Sequence, residues 1–142
     1  MRRFLLVWSL IMTTAAMAQT KKSYNIGILL DNRTKEINPL IEQLENQIKA
    51  VVGEDAIINF SEQNILVNGY DIEKARTNYE TLLQNETDII LAFGVINNFI
   101  VSKQSTHKKP TILFGAVNQD ISGIDVTKKT SGIENFTYLI ES

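Results

Sequence analysis

The chain has no cysteine, one histidine, one tryptophan and two prolines. Without cysteine there are no disulfides and no thiolate metal sites. With His107 as the only imidazole, neither a His-based triad nor a two-histidine metal site is expected. His107 lies beside Lys108 and Lys109 in a polar stretch, where we expect a solvated surface residue. Glycine is missing where phosphate chemistry would need it. The turn after the first apolar run is Leu30-Asp31-Asn32-Arg33-Thr34, with neither G-x-G-x-x-G nor a P-loop, so backbone cannot approach a pyrophosphate. No serine sits in a G-x-S-x-G elbow, and Asp31, Asp88 and Asp120 have no spacing that singles out an acid/base pair. The chain therefore reads as non-enzymatic, with no cofactor and no metal.

The first residues set an address. Met1-Arg2-Arg3 carries positive charge, residues 4–12 are apolar apart from Ser9, and Ala16-Met17-Ala18 forms an A-x-A cleavage site. The apolar run falls short of the ~20 residues a spanning helix needs. Residues 1–18 are thus expected to be a signal peptide cleaved after Ala18, leaving a periplasmic or secreted chain with no membrane insertion. Trp8 and all three methionines (Met1, Met12, Met17) leave with it. Removing Arg2 and Arg3 takes 14 basic residues to 12 against 16 acidic ones, a net charge of about −4 that offers nucleic acid no basic face. The 142 residues less 18 leave 124, enough for one domain. Asn-x-Thr triplets at Asn32, Asn85 and Asn135 match the glycosylation pattern but are frequent by chance, and we set them aside.

What is present is a repeated unit. Residues 24–30 read as a first strand, with Gly27 marking a close approach of neighbouring backbone. Asn38 and Pro39 predict a helix start, and Leu40, Ile41, Leu44, Ile48, Val51 and Val52 share one face up to Gly53. Residues 56–60 form a shorter second strand, and 61–70 is a polar connection without assignment. Asp71 caps a second helix to about Gln84. Asp88 opens the third strand, and Ile89, Ile90, Leu91, Ala92 and Phe93 are apolar without alternation, so both faces of that strand must be covered. A third helix is expected from Val95 to about Ser105. Thr111-Ile112-Leu113-Phe114-Gly115-Ala116 repeats the strand-and-glycine pattern. Residues 131–136 suggest a fifth strand, with another helix beginning near Thr137. Right-handed crossovers give an α/β fold, a doubly wound parallel sheet of order 2-1-3-4-5 in three α-β-α layers. The alternation stops within its pattern at Ser142, as in an incomplete lobe.

In open parallel sheets the carboxyl ends of the strands bind ligands. That rim collects Asp31, Asn32 and Arg33; Gly94, Val95 and Asn97; and Gly115, Ala116, Val117 and Asn118. The amino end of the third helix points its free N–H groups there, and with Arg33 it is suited to a carboxylate or another anion. Gly94 and Gly115 keep side chains out of the way of the ligand, expected to be a small polar or anionic molecule.

The signal peptide, then YNIGILLDNRTKEINPLIEQLENQI, TDIILAFGVINN and KKPTILFGAVNQDISGI, resembles the amino-terminal lobe of the ABC-transporter substrate-binding proteins of the type 1 periplasmic-binding fold. Ser131-Gly132-Ile133 resembles the segment that precedes the crossing to their second lobe. The resemblance covers nearly the whole mature chain and implies a small-molecule ligand held at the glycine turns and a membrane permease as partner. Family members carry two lobes, whereas this chain has the residues of one. Ligand-contacting residues of related amino-acid binders are not matched beyond the glycine turns. The alternative expectation is an exported sensor or interaction module that binds a membrane or efflux partner without a small ligand.

Overall fold

A computed structural model describes residues 20–115, 120, 123, 125, 127–128 and 130–139. The expected signal peptide, Ala116, Val117 and Asn118 lie outside the described residues. The strands are β1 (Lys22–Leu30), β2 (Ala56–Val67), β3 (Ile89–Phe93), β4 (Thr111–Phe114) and β5 (Phe136–Leu139), and the helices are α1 (Ile37–Val52), α2 (Ile72–Gln84) and α3 (Val95–Ser102). All four strand pairings are parallel, in the order β2-β1-β3-β4-β5. This is the doubly wound α/β sheet that the sequence pattern predicts.

Side-chain alternation along each strand divides the core in two. Leu29, Ile90, Ala92, Leu113 and Phe136 face α2 and α3, where Tyr79, Leu82 and Val101 complete the cluster. Ile26, Ile28, Leu30 and Leu91 face the other way, toward Ile41, Leu44 and Ile48 of α1. Gly27 lies on the first side, and a Cβ there would meet Leu82 Cδ1 at 2.8 Å and Thr87 Cγ2 at 2.9 Å. The expected close approach is α2 pressed onto β1.

β1 starts at Lys22, two residues before its expected start, and four other boundaries differ from expectation, each for a local reason. β2 does not end at Phe60. Its register jumps between Ile26↔Phe60 and Ile28↔Ile65, so Ser61 to Asn64 bulge outward and Ile65, Leu66 and Val67 resume pairing. α1 begins at Ile37 with Glu36 in the cap position and no side-chain cap bond, because Asn38 accepts from Arg33 Nε at 2.7 Å instead. α3 stops at Ser102, short of the expected Ser105. The fifth strand is Phe136–Leu139, not residues 131–136, and no helix starts at Thr137. Phe136 and Tyr138 alternate inward against the first cluster, and that period-two pattern makes the strand.

His107 corrects a further expectation. It is 5% exposed, stacked on Phe136 with ring centroids 4.4 Å apart and with Nδ1 2.8 Å from Tyr79 Oη. A histidine followed by two lysines is buried because the ring turns inward against Phe136 of β5 while Lys108 stays exposed. No described helix is long and apolar enough to cross a membrane.

Candidate functional site

Parallel pairing brings the carboxyl ends of β1, β2, β3 and β4 to one rim. Asp31 follows β1 directly and is 6% exposed. Its Oδ2 accepts from Ile96 N at 2.8 Å, and its Oδ1 accepts from Asn97 N at 3.1 Å and from Asn68 Nδ2 at 2.8 Å. The Asp31 carbonyl accepts from Gly69 N and, at 3.3 Å, from Tyr70 N. The first two carboxylate bonds fall on the first turn of α3, whose own cap residue is Gly94 and supplies no side-chain bond. A helix begins with N–H groups that lack intrahelical partners and with a positive dipole end. Here a carboxylate from 65 residues earlier in the chain fills that position.

Gly94 makes this arrangement possible. Its φ is +97°, and a Cβ on it would lie 2.4 Å from the Asp31 carboxyl carbon. The glycine expected to clear space for a ligand clears it for Asp31. The expectation that the α3 amino end receives an external anion is corrected in the same way, because the protein's own anion is already there.

Asn97, expected on the ligand-facing rim, is 1% exposed. Its Nδ2 donates to Phe93 O at 2.9 Å and its Oδ1 accepts from Asn68 Nδ2 at 3.0 Å. Asn32 is exposed, and its Oδ1 accepts from the Arg33 backbone N–H at 2.8 Å. Arg33 donates in parallel to Glu62, Nη1 to Oε2 at 2.6 Å and Nη2 to Oε1 at 3.0 Å. This fork raises the guanidinium pKa further and holds the Glu62 carboxyl below the ordinary carboxylate range. With Nε on Asn38 as well, Arg33 is engaged inside the chain rather than presented to a ligand anion.

Val95 is 60% exposed and is the first residue of α3, directly before Ile96 on the Asp31 carboxylate. Gly115 has φ +69°. Its N–H donates to Leu139 O, and its carbonyl accepts from Asn98 Nδ2 at 3.0 Å. Ala116 lies outside the described residues. The structure therefore gathers Asp31, Gly94, Val95, Asn97 and Gly115 around the start of α3, turns Arg33 toward Glu62 of β2 and Asn38 of α1, and leaves Asn32 exposed on the Arg33 backbone N–H.

Three rim residues escaped sequence reasoning. Asn68 joins Asp31 to Asn97, and its Oδ1 accepts from Tyr70 N at 2.7 Å. Tyr70 is 64% exposed with φ +65°, a conformation that is strained for a ring-bearing residue. Asn98 donates to Phe114 O and Gly115 O, yet its Oδ1 is buried without a partner among the described residues. The available signal was Ile65-Leu66-Val67 followed by Asn68-Gly69, an apolar run closed by a turn pair as β3 and β4 are closed by glycine. Among the described residues no group of His, Asp and Glu side chains is arranged to hold a metal ion.

Comparison with protein-family models, with curated proteins and with solved structures finds no match to this chain.

Proposed function

We propose that the chain is an exported solute-binding lobe of an ABC-type import system, non-enzymatic, which takes a small molecule at the carboxyl ends of its strands. One observation carries this reading. Five strands run parallel in the order that puts the ends of β1, β3 and β4 side by side, and the glycines after β3 and β4 both adopt positive φ at that edge. Open sheets of this order hold ligands there. The leader-like residues 1–18 support export. In the same reading, a second lobe closes over the rim and a membrane permease receives the loaded protein.

The test is equilibrium binding to a library of small solutes by the mature chain and by its Val95→Glu and Gly115→Val variants. Loss of binding in both variants, with melting temperature retained in Val95→Glu, is expected. Unchanged affinity in both removes the site.

A second reading, an interaction module without a small ligand, is favoured by one specific feature. On the α1 side, Phe93 and Phe114 stack at 4.4 Å beside a groove of about 540 Å³ that Leu30, Leu40 and Leu44 also line. Leu139 at the end of β5 is 50% exposed. Exposed apolar surface of this kind serves as an interface. Concentration-dependent association of the chain, with no response to any solute, would put this reading first.

A further inference from the structure

The ring of His107 joins two parts of the molecule that are held very differently. On one side its Nδ1 lies 2.8 Å from Tyr79 Oη, on a helix that packs on β1, β2 and α3 and buries Ala75, Tyr79 and Leu82. On the other side the ring lies flat on Phe136, with centroids 4.4 Å apart and planes 7° from parallel. Phe136 opens β5, a strand of four residues at the edge of the sheet, paired with β4 alone. The stretch before it turns through positive φ at Gly132 and Asn135, and the Asn135 amide donates to the His107 carbonyl at 3.1 Å. Of the two parts, β5 has the smaller hold on the body.

A proton is what the ring cannot take up in place. His107 is 5% exposed, and its Nε2 is buried with no partner among the described residues. Tyr79 faces the ring from α2 and Phe136 faces it from β5, with Tyr138 against Phe136 at 6.2 Å between centroids. Thr111 of β4 is reached only through Tyr79 Oη, 3.4 Å from its hydroxyl. In its own segment Lys108 is exposed, and the Lys109 ammonium donates to Leu82 O at 2.8 Å and Asn85 O at 2.6 Å. Among the described residues no carboxylate bonds the ring. An imidazolium there would be buried without a counter-charge. The face of Phe136 attracts a cation weakly, and the lost hydration outweighs it. Burial accordingly depresses the imidazole pKa.

We infer that His107 is an acid-sensitive latch for β5: on taking up a proton the ring leaves Phe136 for water, and β5 detaches while the rest of the sheet stays folded. Detachment frees the Thr111 N–H from Asn135 O and the Gly115 N–H from Leu139 O, and β4 becomes an edge that another strand can join. The released ring titrates near the ordinary 6.5 and the docked ring lower. The latch is therefore closed above pH 6.5 and weakens as pH falls toward the folded value. This goes beyond the solute-binding reading and does not depend on it.

Amide hydrogen exchange of residues 19–142, followed by NMR from neutral to acidic buffer, tests the latch. Thr111 and Gly115 should be less protected at every pH than Ile90, which donates to Pro110 O inside the sheet. Corrected for the intrinsic rate, their protection should fall by up to about tenfold per pH unit below 6.5. In acid they should lose it while Ile90 is still protected. His107→Gln has no ring to protonate, and in it the fall should vanish. If that variant does not fold, the ring titration of His107 in the native chain decides, because the Phe136–Leu139 signals must move with the same midpoint. Equal protection of Thr111, Gly115 and Ile90 at every pH would mean opening by global unfolding and overturn the latch. A ring that titrates while Thr111 and Gly115 stay protected, or a fall that survives in His107→Gln, overturns it as well.

Discussion

The two ends of the sheet bury a titratable side chain in opposite ways. At the carboxyl end, Asp31 accepts three hydrogen bonds, two from the start of α3 and one from Asn68. At the amino end, His107 has one side-chain partner, Tyr79 Oη, and its Nε2 has none among the described residues. Burial raises the Tyr79 hydroxyl pKa and lowers that of the His107 imidazole. One end is held by donors that match a carboxylate and the other by ring stacking around a neutral imidazole. A buried acceptor with full partners ties elements together, whereas a buried base with one partner ties them only while it stays uncharged.

The largest effect should come from Gly94→Ala. A positive-φ alanine costs ~1–3 kcal/mol, and its Cβ would also displace the Asp31 carboxylate, so a loss of about 4 kcal/mol or more is expected in chemical denaturation. A loss below that of Asp31→Asn would break the view that Gly94 exists to admit Asp31. Asp31→Asn comes next. It turns an NH₂ group toward donors and leaves buried N–H groups unmatched, at about 2–4 kcal/mol, and the Ile96 and Asn97 amides should exchange faster.

The amino end should answer to pH. The folded pKa of His107 is depressed below the ordinary 6.5, so the unfolded chain binds the proton first. Stability from this group is complete above pH 6.5 and falls as pH drops toward the folded value. Melting temperatures measured from neutral to acidic buffer should show this limb in the native chain, and His107→Gln should flatten it. An unchanged limb in the variant would assign the acid sensitivity to carboxylates and erase the contrast between the two ends. The smallest effect belongs to Arg33→Ala. Both partners of the Arg33–Glu62 fork are solvent-exposed, and such pairs contribute little. Its melting curve should overlay that of the native chain, and a clear drop would move Arg33 into the framework of the rim.

Residues 31 to 33 also show where the sequence stops being legible. Asp31, Asn32 and Arg33 sit together in the polar turn after β1, and their sequence alone puts all three on the rim. Only the fold separates them, because Asp31 meets an α3 that lies 65 residues downstream while Arg33 bends back to β2 at Glu62. The strands themselves were legible, since Ile89–Phe93 and Thr111–Phe114 have no polar alternation and can only lie between two covered faces. The Asp71 cap was legible because its bond to Lys74 N is local. The depth of His107 was not, because it depends on Tyr79, 28 residues away, and on a ring in β5. The position of β5 was missed because Gly132 and Asn135, both at positive φ, make the stretch before it a turn.

The most direct test is an amide-resolved NMR titration of residues 19–142 with the small-solute fraction of a bacterial culture medium. Binding at the rim should shift Tyr70, Val95 and Gly115 while the Ile96 and Asn97 amides hold their places on Asp31. Shifts confined to the Phe93 and Phe114 face, or movement of Ile96 and Asn97 as an anion displaces Asp31, would contradict it.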